Sequence, residues 1–330
     1  TLRRTSLEEY STPNPKWQTL LSIDSLSETE QKNWVYKGSE CLDSNYDRCL
    51  LSLSNGGKDS VEMREWDHAT QSFVENGFVI PEAKSGVSWK DINQLHIATD
   101  WNNDSLTESG YPFIVKSLTR GQQLQDAELL FSGEKTDVGV WPFSAKLDNN
   151  KVNMVVRAVT FFESEYYWLP DDGRSAIQLP IPQKSEFEGV FKGQLILSIK
   201  QQWSPNGSSK TFNSGDLVSF DFNHWLKTQE IKDLQLIYQP DPRSTVDGVS
   251  LTKNKLVLTL LENVVSNIYL YDFNQTWSHQ KLDMPENGTM SVSSANQAND
   301  TIFINQESFV APDTLFKVNV ETAAKQAIKS

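Results

Sequence analysis

Two glycine-led serine segments are the first places in this 330-residue chain where covalent chemistry could reside: Gly86-Val87-Ser88-Trp89-Lys90 and Gly248-Val249-Ser250-Leu251-Thr252. An elbow serine needs Gly-x-Ser-x-Gly, because glycine on both sides lets a strand turn sharply into a helix and lift the hydroxyl clear. Both segments lack the second glycine and occupy equivalent places in a repeat, so both read as strands. No P-loop, dinucleotide fingerprint or His-Glu-x-x-His pair occurs. His68, His224 and His279 follow β-rich runs beside Asp67, Asp221 and Asp272, in segments that read as polar turns; His96 sits between Leu95 and Ile97 inside a strand. A metal site would need these four to converge from separate repeats, so no metal, no cofactor and no catalytic residue is assigned. The 43 Asp and Glu residues leave paired-carboxylate glycoside chemistry open by count, although Glu163-Ser164-Glu165 and Asp171-Asp172 read as exposed turns. Cys41 and Cys49 flank a turn between two strands and could be set opposite each other. Two free thiols packed in the strands are the favoured reading; a disulfide there would contribute about 2–3 kcal/mol in the chain-entropy model.

The elements that carry these residues recur. Six short segments centred on valine are each followed by a turn and a β-rich run: Asn33-Trp34-Val35-Tyr36, Gly86-Val87-Ser88-Trp89, Gly139-Val140-Trp141, Gly189-Val190-Phe191, Gly248-Val249-Ser250-Leu251 and Ser291-Val292-Ser293. The valine-to-valine intervals are 52, 53, 50, 59 and 43 residues, the length of four strands with their turns. The runs that follow include Cys49–Leu53, Leu95–Thr99 and Leu256–Leu260, and third runs such as Val61–Arg64, Leu217–Phe220 and Ile268–Tyr271 alternate with period two. This pattern predicts an all-β, seven-bladed β-propeller of four-stranded antiparallel blades with almost no helix. Residues 1–32 form a partial first blade, in which Pro15-Lys16-Trp17-Gln18-Thr19-Leu20-Leu21 is an outer strand, and residues 33–330 form six further blades of one domain. The missing inner strands are expected upstream of Thr1 in a longer protein.

Composition narrows the function classes. With 38% hydrophobic and 11% aromatic residues the chain can bury a core. A net charge of −13 with scattered basic residues argues against nucleic acid as a partner. No apolar run approaches the length of a membrane-crossing helix, so no membrane partner is expected either; the reading is of a soluble protein, cytoplasmic or periplasmic, its compartment unassigned. Five Asn-x-Ser/Thr sequons, at Asn103, Asn206, Asn274, Asn287 and Asn299, would be acceptors only in a glycosylating secretory route.

The run from Arg48 to Asp67, with Gly56-Gly57-Lys58-Asp59 and Arg64-Glu65-Trp66-Asp67, resembles the Gly-Gly-x-Asp and Arg-Glu-Phe-Asp segment of bacterial prolyl oligopeptidase-family serine peptidases. Phe73-Val74, Gly77-Phe78, Pro81-Glu82-Ala83-Lys84, Val87-x-Trp89-x-Asp91, Ser109-Gly110-Tyr111-Pro112 and Arg120-Gly121 continue that resemblance in order and spacing. So do Arg4–Tyr10 and Pro15-x-Trp17, while beyond residue 140 it thins to the repeat pattern with Trp203 and Pro240. Departures are Trp66 for Phe, Lys58 for a small residue, and Phe113 where Arg is common. The resemblance implies the non-catalytic propeller of a serine-type oligopeptidase or prolyl endopeptidase, gating the access of short peptides to an α/β-hydrolase domain absent from this chain. Trp34, Lys37, Ser88, Trp89, Lys90, Val140, Phe191, Ser250 and Ser291 are then candidates to line the tunnel or border the interface. A stand-alone propeller that binds a protein partner would show the same blades, and an acidic glycan-processing propeller would show paired carboxylates near the axis.

Overall fold

Period-two alternation becomes a series of antiparallel meanders in the computed structural model, which describes residues 1–42, 47–102, 104–205, 210–285 and 288–330. The chain opens with β1 (Leu2–Arg4), a single helical turn α1 (Leu7–Tyr10) and β2 (Gln18–Leu21), which pairs antiparallel with β1. Helix α2 (Ile23–Glu30) follows. The Ser22 hydroxyl caps it by accepting from the Ser25 amide, and Gln31 ends it in the left-handed region at φ 54°.

Six sheets then follow in chain order, each opened by one of the valine-centred segments. The first holds β3 (Trp34–Cys41), β4 (Arg48–Asn55), β5 (Val61–Asp67) and β6 (Ser72–Phe73), and β7 (Val79–Ala83) also pairs with β5, giving five strands where four were expected. The second holds β8 (Gly86–Asp91), β9 (Gln94–Ala98), β10 (Ile114–Thr119) and β11 (Glu128–Ser132). The third holds β12 (Gly139–Leu147), β13 (Asn150–Ala158), β14 (Ser164–Trp168) and β15 (Ile177–Gln178). In the fourth, β16 (Ser185–Phe191), β17 (Gln194–Ile199) and β18 (Leu217–Asp221) lead into helix α3 (Phe222–Thr228) before β19 (Gln235–Tyr238). The fifth holds β20 (Ser244–Leu251), β21 (Leu256–Glu262), β22 (Val265–Asn274) and β23 (Thr276–Lys281), and the sixth β24 (Thr289–Ser294), β25 (Thr301–Glu307), β26 (Thr314–Asn319) and β27 (Lys325–Lys329).

The chain forms two compact units, one of Thr1–Ser6, Lys16–Ala145 and Lys151–Leu179, the other of Leu7–Pro15, Lys146–Asn150 and Pro180–Ser330. Successive residues of β9, β17 and β21 are buried on both faces, whereas β25 alternates buried with half-buried positions. In the first unit Leu95 and Ile97 of β9 pack with Leu50, Ile80 and Trp89, whereas Ala98 turns the other way to meet Val140, Val155 and Leu169. In the second unit Leu256 and Leu258 of β21 pack with Phe191 and Ile196, while Val257 between them joins Ile268, Ile302 and Ile304.

Three features depart from the sequence reading. Helices α2 and α3 occupy stretches where strands and turns were expected; α3 is capped by Asp221, which accepts from the His224 amide, so His224 is helical rather than in a turn. His279 lies in β23, stacked on Tyr271 with ring centroids 4.8 Å apart, and again is not in a turn. Five of the opening strands carry a one-residue register shift, at Lys37, Lys90, Glu188, Asp247 and Ser293. Such bulges bend the edge strand and re-aim the side chain they carry.

Candidate functional site

Ser88 lies within β8 and Ser250 within β20, strand positions with no following helix. Trp34, Ser88, Trp89, Val140 and Phe191 are at most 5% exposed, so their side chains are committed to packing between elements. The Trp89 indole donates to the Glu40 carbonyl at 2.9 Å, and Phe191 stacks on Trp277 at 5.9 Å. Val140 sits in the core layer with Ala98 and Val155. By contrast Lys37 and Ser291 are exposed, and Lys90 and Ser250 are half-buried. Lys90 pairs with Asp171 at 3.3 Å. Gly86 permits the approach of the neighbouring sheet, since a Cβ there would stand 2.6 Å from Trp141 Cδ1.

The residues of the Arg64-Glu65-Trp66-Asp67 run form a charged joint in the first unit. Arg64 donates through both terminal nitrogens to Glu30 on α2, at 2.6 and 2.9 Å, and its third nitrogen reaches Glu62. The same Glu30 accepts from the Trp34 indole at 2.8 Å, and the Arg64 bonds hold its carboxyl below the usual carboxylate range. Glu65, 2% exposed, accepts two bonds from Arg120 at 2.8 and 3.0 Å and one from the Phe78 amide at 2.9 Å. The Arg120 guanidinium also lies over the Phe78 ring, 4.5 Å from its centroid. Trp66 packs edge-on against Phe73, and Asp67 pairs with Arg48 at 3.1 Å. Upstream, Gly56 and Gly57 turn the chain from β4 to β5 at φ 81° and 78°, a conformation that favours glycine at both places. Two segments 55 residues apart, around Glu65 and Arg120, are thus locked by a bidentate ion pair.

Cys41 and Cys49 are directly opposed in the β3–β4 register, and their sulfurs are bonded at 1.99 Å, where the sequence favoured two thiols. Opposed positions on neighbouring strands bring the side chains together, which the sequence spacing permitted but did not require. Of the five sequons, Asn103, Asn206 and Asn287 lie outside the described residues. Asn274 ends β22, and Asn299 donates to Asn296 at 3.2 Å.

In both units large apolar side chains stand free at the hairpins joining second to third strands. In the first unit these are Phe161 and Phe162, 87% and 85% exposed. In the second they are Val264, Phe309 and Val310, at 83% or more, beside a groove of about 420 Å³ that Val264, Val265, Thr289, Phe309 and Asp313 help to line. In the second unit the exposed apolar groups beside this groove mark a surface suited to contact with another protein body. No cluster of three metal-ligating side chains exists among the described residues, and none of their helices is long and apolar enough to cross a membrane.

The family model of the prolyl oligopeptidase N-terminal β-propeller domain matches residues 1–330. The chain belongs to the prolyl oligopeptidase N-terminal β-propeller family. Among curated relatives, an uncharacterised peptidase of Sinorhizobium fredii is 36% identical over 334 residues, covering 99% of this chain and 46% of the relative. An uncharacterised peptidase of Rickettsia prowazekii is 25% identical, covering 95% of this chain and 45% of its own length. The solved post-proline cleaving enzyme from Rickettsia typhi aligns with TM-score 0.91 and 25% identity over 99% of this chain and 49% of that one. Oligopeptidase B from Leishmania major shares the fold at TM-score 0.69 and 12% identity, over 99% and 45% of the two chains. This propeller therefore spans about half the length of the relatives it matches.

Two parts of the propeller surface were missed by sequence reasoning. The hairpin aromatics carry a local signal, because Phe161-Phe162 and Phe309-Val310 are apolar pairs inside otherwise polar turns. The bulges carry none, since a one-residue slip depends on the partner strand.

Proposed function

We propose that this propeller is the non-catalytic half of a serine-type oligopeptidase and gates the access of short peptides to an α/β-hydrolase half that docks against it. The observation that carries the reading is the family match across residues 1–330 in a chain equal to 46% of its Sinorhizobium relative. The catalytic serine, its base and any preference for proline then belong to the other half, in keeping with Ser88 and Ser250 sitting in strands. The exposed apolar groups beside the groove of the second unit, Val264, Phe309 and Val310, supply apolar area for that docking.

Gating is steric: an opening edged by the first strands admits an extended chain and rejects a packed domain. Of the residues proposed from sequence to edge it, Lys37, Lys90, Ser250 and Ser291 keep accessible surface. Trp34, Trp89, Val140 and Phe191 act behind them by fixing where the opening strands lie. The test is to narrow the opening in the full-length protein with Ser250→Trp and Ser291→Trp. Turnover of a long unstructured peptide should fall several-fold more than that of a blocked dipeptide-sized substrate. An equal fall on both would reject the gate while leaving the family assignment untouched.

A further inference from the structure

Alternation along β9 sends His96 to the same side as Ala98, into the layer where Ala98 meets Val140, Val155 and Leu169. Ser88 is the direct partner of His96 across β8 and β9, so its hydroxyl enters the same layer. Asn153 stands two residues before Val155 on β13 and faces that layer from the third sheet. All three residues belong to the first unit. Ser88 Oγ, His96 Nδ1 and Asn153 Oδ1 have no protein hydrogen-bond partner, on residues only 1%, 4% and 4% exposed. Ser117, opposite His96 on β10, is already engaged, accepting from Gln94 Nε2 at 2.7 Å. Three dry polar atoms in one packed layer would be costly, and native interiors meet such groups with ordered water.

The hydrogen-bonding capacity of these atoms selects the ligand. Asn153 Nδ2 donates to Asp171 Oδ1 at 3.4 Å, which leaves Oδ1 as an inward acceptor. Burial pushes the His96 ring down to about 4, so at neutral pH it is uncharged and offers an acceptor nitrogen. The Ser88 hydroxyl can donate. The fitting occupant gives two hydrogens and receives one. An anion would face the lone pairs of Asn153, and a cation would find the carboxylate bonded to Asn153, Asp171, already held by Lys90 as well.

We propose that Ser88, His96 and Asn153 form a binding site for one structural water molecule, which donates to His96 Nδ1 and Asn153 Oδ1, accepts from Ser88 Oγ, and joins the second and third sheets of this propeller. A crystal structure of the protein should show a single density peak within about 2.7–3.2 Å of all three atoms. A dry layer, or a peak at metal-type distances with further ligands, overturns the proposal. Oxygen-17 relaxation dispersion counts long-lived waters in solution, and Ser88→Ala with Asn153→Leu should lower that count by one. Should the pair fail to fold, Ser88→Ala alone removes only a hydroxyl and should shorten the residence time of the same water at least several-fold. An unchanged count in the pair, or an unchanged residence time in Ser88→Ala, rejects the site.

Discussion

Replacing Glu65 by alanine removes a carboxylate that is 2% exposed and holds three hydrogen bonds, two from Arg120 and one from the Phe78 amide. Breaking a buried ion pair from one side costs about 3–5 kcal/mol, because the remaining charge loses its partner without regaining full hydration. The Arg120 side chain is 27% exposed and keeps the Ile92 carbonyl as an acceptor, so part of its charge returns to water and the cost falls at the low end. Arg48 retains Asp67 at 3.1 Å and adds little. The expected loss is about 3 kcal/mol, which at a urea slope of about 3 kcal/mol/M moves the unfolding midpoint down by about 1 M. Arg120→Ala should cost more, towards about 5 kcal/mol, because it strands a carboxylate that is 2% exposed, and the double variant should fall short of the sum by about 1–3 kcal/mol, because the second substitution removes a group already unpaired. Urea unfolding followed by tryptophan fluorescence reads all three variants. A midpoint shift below about 0.2 M for Glu65→Ala, or strict additivity in the cycle, would refute the assignment of this pair as a clamp between the first and second sheets.

Other outcomes follow from the same geometry. His96 is held down to about 4 by desolvation, with Lys90 adding to the effect and Asp171 and Asp91 opposing it. The unfolded chain therefore binds its proton near pH 6.5 while the folded chain does not, so stability is level above pH 6.5 and declines as pH falls towards 4, by about 3 kcal/mol in all. His96→Gln should remove that component from a stability–pH profile, and an unchanged slope below pH 6.5 would contradict it. Gly86→Ala should destabilise by about 1–3 kcal/mol through its clash with Trp141, and Trp141→Leu should recover most of the loss in thermal unfolding. Reducing the Cys41–Cys49 bond, which closes a sequence separation of 8, should lower stability by about 2–3 kcal/mol, whereas two thiols titrating in the unreduced, denatured protein would show that the bond is absent.

The sheets were legible because their signal is local. Leu256-Val257-Leu258-Thr259-Leu260 is apolar at every step but one and is too short for a buried helix, so a covered middle strand is the economical reading. Helix α2 was less legible, although Ser22 is a capping residue and Ile23 and Leu26 are spaced for one helical face. The repeat reads residues 1–32 as a partial blade, which leaves no place for a helix after the strand ending at Leu21. Glu65 and Arg120 stood in quoted motifs, yet their pairing depends on how two sheets meet, which spacing along the chain does not encode. The same holds for Asn153 with Ser88 and His96: each reads as an ordinary strand residue until the face it shares is known. Cys41 and Cys49 were the intermediate case, since only the β3–β4 register decides between opposed and diagonal positions.

The most direct test of the gated-propeller account compares one cleavable sequence in two settings within the full-length protein's assay: as a free unstructured peptide, and as a loop of a stably folded host domain. The account predicts efficient cleavage of the free peptide, none of the folded host, and recovery of cleavage once the host is unfolded by a destabilising substitution. Equal kcat/KM for the peptide and the folded host would contradict it.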